Sequence, residues 1–395
     1  MAYRDAWVEV DLGAVVANAR ALADRLGGSA CIAPVVKANA YGHGAVPVSR
    51  ALAEAGFGPF CVATVDEGIQ LREAGLGGRI IVLYEPPLRA LADATEAGLD
   101  VTLGDTEAVE TVSQRPVAEL ERLRLQLKID TGMTRQGLRL ADLEALRSPL
   151  RSLANCVSGI WTHFADGADR DLTDAQLARF DDAVAMLRKF GVEAPRHVAG
   201  SAAVLAGLGQ RYEFARPGLS LYGAVPTEFS DHLGSTTVEL RPVMAVRARS
   251  IRIADVPRGT AVGYGGTFVT ERASRLTTLP LGYADGLRRS LGNGRGCALI
   301  AGRRAPIVGR VSMDSCVVDV TDIGGVDRAT VFTLVGSDGA DAITLEEISQ
   351  RAGTIPQEMA VGFDSRLPYV YAWPGGDSEP GAGREARSSG GPGTG

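Results

Sequence analysis

The first two thirds of the chain alternate short apolar runs with stretches in which apolar residues recur every three or four positions. The short runs are typical of buried strands and the longer period of amphipathic helices. The first helix is expected to begin near Asp11, a good N-cap, with Leu12, Val15 and Ala19 on one face. The strand candidates alternate with helices and predict an N-terminal (β/α)8 barrel over residues 8–237. They are Ile32–Val36, Phe60–Ala63, Ile80–Leu83, Val101–Leu103, Leu125–Asp130, Val157–Thr162, His197–Ala199 and Glu213–Ala215.

The pattern changes after about Thr237 to alternating, branched residues with glycine and proline between them. This pattern predicts a second, mainly β domain over residues 238–373. Helices are expected in it only near Leu345–Arg351 and around Gln357. Residues 374–395 have no apolar side chain larger than alanine, which predicts a disordered tail.

Composition narrows the function classes. With 395 residues, 45% of them hydrophobic, and a mean hydropathy of +0.05, the chain is long enough for two domains. It has no run of 18 apolar residues and no signal-peptide pattern at its start, so a cytoplasmic protein away from membranes is expected. A net charge of −6 without a basic tract argues against nucleic acid as a partner. The four histidines lack metal-ligand spacing, so no metal site is expected.

Lys37 closes the apolar strand candidate Ile32–Val36. An ammonium group in a pocket of low dielectric has a lowered pKa, and its amine then suits a Schiff base with an aldehyde cofactor. A solvated lysine at a strand end is the alternative explanation. Asn39, Tyr41 and Gly42 favour the first, because small and hydrogen-bonding residues suit a loop that passes an anionic ligand.

Other polar residues stand at predicted strand ends, where barrels of this type collect their catalytic groups. Each alone has an ordinary explanation, such as a core histidine or a surface arginine. The same feature at five strand ends favours one shared site. These residues are Lys128, Asp130 and Arg135 at the close of the fifth strand, His163 at the end of the sixth, Ser201 after the seventh, and Arg216 and Gly218 after the eighth.

Two kinds of segment suit an anionic cofactor. Arg216–Gly223 follows the last barrel strand, where backbone N–H groups commonly hold a phosphate, and Ser201 can add a hydroxyl. In the second domain Tyr264 stands among glycines, and Gly309–Asp314 ends a strand with a polar turn. Tyr264 alone is as readily a turn residue as a functional one.

Together these motifs resemble alanine racemases from Trp7 to Tyr371, in the same order and spacing. The resemblance implies pyridoxal phosphate as cofactor, interconversion of L- and D-alanine that supplies D-alanine for peptidoglycan, and a homodimer with shared active sites. The motifs are Ala33–Gly44, Lys128–Arg135, Gly159–Phe164, Arg216–Gly223, Val262–Phe268, Pro280–Gly286, Gly309–Asp314 and Ala352–Pro356.

The resemblance also implies roles for single residues. Lys37 would hold pyridoxal phosphate and act as the base on the D-face, and Tyr264 of the partner subunit would act on the L-face. Two bases suit racemisation, which removes a proton from one side of a planar carbon and returns one to the other. Arg216 would face the pyridine nitrogen and keep it unprotonated.

The remaining roles follow from the same resemblance. Arg135 would contact the cofactor phenolate and the substrate carboxylate, with the Met313 amide beside it. Lys128, carbamylated, would position Arg135, and His163 would support Arg216. Further support is implied for Tyr283, Asp314 and Gln357, and phosphate contacts for Tyr41, Ser201, Gly218 and Leu219.

Three departures from the family leave the substrate open. Gly200 stands where the family usually has asparagine, and Gln357 where it has a tyrosine that touches the phosphate and narrows the pocket. The usual Arg-Val-Pro-Arg ending is replaced by Arg366–Tyr369. A serine or broad-specificity racemase of the same fold is therefore the alternative.

Two further classes are compatible with a barrel of this family. One is a decarboxylase with a catalytic cysteine in its β domain, against which Tyr264 and the turn at Met313 argue. The other is a pyridoxal-phosphate carrier built from the barrel alone, which would lack a second domain.

Overall fold

The computed structural model describes most of the chain and divides it into two compact units. We call them the barrel unit and the β unit. The described residues are 4–28, 32–208, 212–226, 238–363 and 366–373. The barrel unit holds those within 12–243 and 345–363, and the β unit those within 4–11, 244–344 and 366–373.

Parallel strand positions close a barrel in the barrel unit. Ile32 bridges Ala215 and Val35 bridges Cys61, both in parallel. The Arg216 N–H donates to the Ala199 carbonyl at 2.7 Å, which joins the last position to the one before it. The predicted (β/α)8 barrel is thereby confirmed. Its regular strands are Phe60–Val62, Ile80–Val82, Asp100–Leu103, Leu125–Asp130, Val157–Trp161 and Arg196–His197. The short strand Leu138–Arg139 pairs with Leu125–Asp130.

The barrel strands are short. They are buried because helices cover their outer faces. Local signals start several of these helices: the Thr64 hydroxyl and the Glu67 carboxylate form a capping box at one, and Asp169 caps the longest. The α-helices are Leu12–Leu26, Ala45–Glu54, Val65–Glu73, Leu91–Glu96, Thr106–Ser113, Val117–Leu120, Arg147–Ser152, Arg170–Lys189, Ser201–Ala206, Leu345–Ala352 and Pro356–Gly362, and Lys37–Gly42 is a short left-handed segment.

The β unit is built on a ten-stranded sheet and a separate two-stranded one. The N-terminal strand Ala6–Asp11 pairs antiparallel with Met244–Arg249 and parallel with Tyr369–Ala372. The other strands of the large sheet are Arg252–Val256, Ser274–Leu279, Cys297–Ile300, Arg303–Val308, Cys316–Asp319, Val331–Asp338 and Asp341–Ile343, and the small sheet pairs Ala261–Val262 with Phe268–Val269.

The division of the chain differs from the predicted domains in two places. The N-terminal strand belongs to the β unit, because its backbone pairs with two strands there. The helices Leu345–Ala352 and Pro356–Gly362, expected in the β domain, belong to the barrel unit. The predicted boundary at 237 and the predicted tail 374–395 lie outside the described residues.

Two kinds of feature are absent from the described residues. None of their helices has the length and apolar character needed to cross a bilayer. They also contain no group of three or more histidine, cysteine, aspartate or glutamate side chains arranged to hold a metal ion.

A buried carboxylate ties the N-terminus to the rest of the β unit. Asp285 is 0% exposed, and the Arg4 guanidinium donates to both of its oxygens at 2.6 Å. The Gly282 N–H adds a bond of 2.9 Å, and Arg366 lies 3.2 Å away. Asp285 therefore depends on Arg4 for most of its charge compensation.

We expect Arg4→Met to lower the free energy of unfolding by about 2 kcal/mol, because a buried carboxylate loses a bidentate partner. The matched control Arg272→Met removes an exposed ion pair with Asp322 and is expected to leave the free energy of unfolding nearly unchanged, because water screens that pair. Urea unfolding followed by fluorescence compares the two. Equal losses would show that the Arg4 pair contributes no more than a surface pair.

Candidate active site

The loop after the first barrel position is a left-handed turn. Ala38, Asn39, Ala40 and Tyr41 have φ between 51° and 55°, within the segment Lys37–Gly42. In non-glycine residues this conformation costs about 1–2 kcal/mol each, because Cβ approaches the following carbonyl. The turn therefore needs specific contacts to hold it.

Two polar side chains supply such contacts. The Glu67 carboxylate accepts the Ala38 N–H and the Ala63 N–H, both at 2.7 Å, and so links the turn to the next barrel strand. The Asn39 Oδ1 accepts the Ala45 N–H at 2.7 Å at the start of the following helix. The backbone on both sides of Lys37's turn is thereby fixed.

His43 completes the turn from inside the protein. Burial lowers its pKa to about 4, so the ring is neutral. Its Nδ1 lies 3.0 Å from the Ala40 carbonyl and 2.9 Å from the Tyr41 carbonyl, and because carbonyls only accept, Nδ1 carries the proton. Gly42, at φ +79°, packs so closely on Ala360 that a Cβ would lie 2.5 Å from its carbonyl oxygen.

A cavity of about 490 Å³ lies at the carboxyl ends of the barrel strands. Every residue predicted in the barrel for the cofactor or substrate contributes to its wall. These are Lys37, Tyr41, Lys128, Arg135, His163, Ser201, Arg216, Gly218 and Leu219; Gly200 also lines the cavity, as does Gln357, which was predicted in the β domain.

The cavity wall is cationic, and its two lysines have depressed pKa values. Burial, followed by the Arg135 charge, lowers the pKa of Lys37. Burial and the charges of Arg135 and Arg216 lower the pKa of Lys128 to about 8. The whole chain has only one other lysine, Lys189, which is exposed on a helix. Lys37 and Lys128 are therefore the amines suited to nucleophilic chemistry.

Lys128 and Arg135 are held near aromatic rings. The Lys128 Nζ lies 4.5 Å from the Trp161 ring centroid and donates to the Gln136 Oε1 at 3.2 Å. The Arg135 guanidinium carbon lies 5.6 Å from the Tyr84 ring centroid. These contacts stabilise both cations while leaving them at the cavity wall.

Arg216 is buried and fixed by bonds from its two terminal nitrogens. Nη1 lies 2.5 Å from His197 Nδ1, and Nη2 donates to the Thr162 carbonyl at 2.7 Å and the Val198 carbonyl at 3.2 Å. His163 Nδ1 is 3.5 Å from Nη2. Burial lowers the pKa of Arg216 to about 10, so it remains protonated at neutral pH. Burial, followed by the Arg216 charge, holds the pKa of His163 well below its usual range.

Ser201, Tyr41 and Gly218 meet at one side of the cavity. The Ser201 hydroxyl oxygen accepts the Gly218 N–H at 3.0 Å and the Ser220 N–H at 3.2 Å, so its own proton is free to point at a ligand. A Cβ at position 218 would overlap the Tyr41 hydroxyl. Glycine at this position therefore leaves room for a second hydroxyl donor.

Among the predicted residues of the β unit, Tyr283 lies next to the turn that carries Met313 and Asp314. The Tyr283 N–H donates to the Ser312 carbonyl at 3.0 Å, which sets Tyr283 beside Met313. Arg366 donates to Asp314 at 2.7 Å. Tyr264, Met313 and Tyr283 are 71%, 52% and 43% exposed. These large side chains thus remain accessible on the β unit.

Several residues around the cavity were not predicted. Glu67 had a local signal, because Thr64 and Glu67 have the spacing of a capping box, but that pattern does not predict its bond to Ala38. His197 begins the predicted strand His197–Ala199, yet nothing local indicates that it meets Arg216. The bond of Glu67 to Ala38 and the bond of His197 to Arg216 both join segments that lie apart in the sequence.

Comparison with known proteins assigns both parts of the chain. The family profile "Alanine racemase, N-terminal domain" matches residues 10–226, and "Alanine racemase, C-terminal domain" matches residues 243–371. The alanine racemase of Carboxydothermus hydrogenoformans is 38% identical over 375 residues, which are 93% of this chain and all of that protein.

Solved structures agree. The alanine racemase of the D-cycloserine producer Streptomyces lavendulae matches with a TM-score of 0.85 and 35% identity. The match covers 94% of this chain and 98% of that one. The alanine racemase of Bartonella henselae, a structure with covalently bound pyridoxal phosphate, has a TM-score of 0.82 and 30% identity, with 93% and 99% covered. The chain belongs to the alanine racemase family.

Proposed function

We propose that the protein interconverts L- and D-alanine with pyridoxal phosphate bound through Lys37, and that it acts by two bases. The observation that carries this proposal is the amine of Lys37, which has a lowered pKa and lies at a barrel strand end in a cavity walled by cations. D-alanine made in this way supplies peptidoglycan synthesis.

The cavity wall fits pyridoxal phosphate. Ser201, with a free hydroxyl proton, and Tyr41 beside Gly218 offer donors to a phosphate, and the Leu219 amide lies next along the chain. Lys37 offers an amine for the aldehyde. When bound, the cofactor withdraws electrons from the α-carbon of an amino acid and makes its proton easier to remove.

Lys37 acts as the base on one face of the substrate. Burial lowers the pKa of this amine, which favours its neutral form, and a neutral amine can accept the α-proton. The turn held by Glu67 and His43 fixes the backbone from which the side chain extends. The amine is therefore presented in a defined direction rather than sampling the cavity.

Arg216 would face the ring nitrogen of the bound cofactor as a donor that keeps its proton. Three acceptors fix its Nη1 and Nη2, so the guanidinium cannot turn away. Neutral His163 beside it adds no second charge.

Arg135 binds the substrate carboxylate and the cofactor phenolate, and Lys128 orients it. Lys128, whose pKa of about 8 leaves a neutral fraction, lies among positive charges, which would favour addition of its neutral amine to carbon dioxide to give an anionic carbamate and a released proton. In that form it would pair with Arg135.

The second base is Tyr264 of the partner subunit, with the Met313 amide at the substrate carboxylate and Tyr283 and Asp314 in support. This assignment makes the protein a homodimer with shared active sites. The high exposure of Tyr264, Met313 and Tyr283 supports it, because large side chains left uncovered in one subunit are available to another. We also infer that the enzyme works in the cytoplasm, away from membranes and nucleic acid.

Serine is a second candidate substrate. Gln357 lies in the cavity wall beside Ile355 and Val361, where its amide offers both a donor and an acceptor. A substrate hydroxyl would gain a hydrogen-bond partner from it.

Lys37→Ala is expected to abolish racemisation and the covalent cofactor chromophore, because it removes the amine that binds and the base that accepts the proton. Absorbance after borohydride reduction and chiral analysis of alanine measure the two effects. The matched control Lys189→Ala removes an exposed lysine and should leave both unchanged. A reducible adduct at the wild-type level in Lys37→Ala would refute the assignment.

Lys37→Ala and Tyr264→Phe chains are each expected to be nearly inactive, but a mixture that exchanges subunits should regain activity. Half of the dimers formed at random are heterodimers with one intact site, so about a quarter of wild-type activity is expected. Mass spectrometry confirms the exchange. Demonstrated heterodimers without activity would contradict the shared site.

Gln357→Tyr is expected to lower the serine-to-alanine ratio of kcat/KM about tenfold, the factor that about 1.4 kcal/mol represents. The physical reason is the loss of a hydrogen-bonding amide and of space for the serine hydroxyl. Steady-state kinetics with both substrates measure the ratio. An unchanged ratio, or a wild-type enzyme without serine turnover, would contradict this role of Gln357.

A further inference from the structure

A chain of buried polar side chains runs from Arg216 through the barrel interior to a carboxylate. Arg216 Nη1 lies 2.5 Å from His197 Nδ1, and His197 Nε2 lies 3.0 Å from Gln126 Oε1. The Gln126 Nε2 then donates to Asp100 Oδ2 at 2.9 Å and to the Ser158 hydroxyl at 3.0 Å. We call Arg216, His197, Gln126 and Asp100 the interior chain. Its members are 0 to 3% exposed, so water does not compete for their bonds.

The carboxylate end of the interior chain is anchored by charge. Asp100 is 0% exposed and pairs with Arg79 at 2.5 Å and with Arg124 at 3.1 Å. The Ser158 hydroxyl also donates to it at 2.7 Å. In these ion pairs and hydrogen bonds the Asp100 carboxylate is the acceptor for every neighbouring donor.

The two ends fix every proton in between. Asp100 only accepts, so Gln126 must turn its NH2 group toward it and its Oε1 toward His197. That oxygen only accepts, so His197 must carry its proton on Nε2. His197 Nδ1 is then an acceptor, which is what the donor-only Arg216 requires. Burial and the Arg216 charge also hold the pKa of His197 well below its usual range, so the ring stays neutral.

Packing holds the interior chain in place. The His197 ring lies between Trp161, at 5.8 Å and an interplanar angle of 9°, and Phe214, at 4.4 Å and 18°. A Cβ at Gly159 would overlap the Gln126 amide, so glycine there makes room for it. The His197 ring therefore has little freedom to rotate.

We infer that Gln126 and Asp100 are positioning residues: they fix the tautomer of His197 and through it the direction of the Arg216 guanidinium at the cavity. This inference rests on the proposed function, in which Arg216 faces the cofactor ring nitrogen. Gln126 and Asp100 touch neither substrate nor cofactor. Their effect reaches the reaction through His197 and Arg216.

The tautomer of His197 provides a readout that needs no turnover. In full-length holoenzyme with ¹⁵N-labelled histidine, long-range proton–nitrogen spectra distinguish the two tautomers, and His197→Asn identifies the signal. We expect the wild type to show only the Nε2–H form. Gln126→Met keeps the side-chain volume but removes the amide, so we expect a mixture of tautomers and a kcat about tenfold lower, with KM changed less than about twofold.

The matched control is Thr102→Val, which removes another buried hydrogen bond of the same sheet, from the Thr102 hydroxyl to the Val82 carbonyl. It should leave the His197 signal as in wild type and kcat within about twofold. Gln126→Asn keeps an amide too short to reach both neighbours and serves if Gln126→Met does not fold. Like Gln126→Met, it should give a mixture of His197 tautomers and a lower kcat.

An Nδ1–H form of His197 in the wild type would overturn the inference. So would Gln126 variants whose His197 signal is the same as that of the wild type, or whose kcat is unchanged. A wild type that racemises no amino acid would refute the proposed function instead. In that case a His197 signal that still shifts in Gln126→Met would uphold the interior chain's control of the tautomer.

Discussion

The left-handed turn after Lys37 is the constraint on which the active site depends. Residues 38–41 hold φ near +50° without a glycine among them, which by the usual cost per residue amounts to several kcal/mol. Glu67, Asn39 and His43 offset this cost with bonds to the turn and its flanks. Local strain held by the surrounding fold is typical of functional sites, because it fixes a side chain's direction before any ligand arrives.

The turn acts together with an arrangement of buried positive charge. Lys37, Lys128, Arg135 and Arg216 line one cavity, and burial together with their mutual repulsion keeps the pKa of both lysines low. Such a site is costly without an anion. A ligand that brings a phosphate, a phenolate and a substrate carboxylate compensates that charge, and the same field supports a neutral amine as base.

The sequence predicts the barrel and its cationic site well because both depend on local patterns. Apolar runs mark the strands, and Lys37, His163 and Arg216 stand where those runs end. The placement of Ala6–Asp11 in the β unit could not be predicted, since its two partner strands lie more than 200 residues away. The bond of Gln126 to Asp100 and that of His197 to Arg216 likewise join different strands, and no local spacing encodes which polar side chains meet inside a barrel.

The most direct measurement is α-proton exchange in deuterated water, followed by NMR and chiral chromatography across a panel of amino acids. Alanine is expected to gain α-deuterium with inversion from either enantiomer, and serine is expected to do so more slowly. Loss of the carboxylate would indicate a decarboxylase. Cofactor-loaded protein that exchanges the α-proton of no amino acid would contradict the central claim that this cavity performs racemisation.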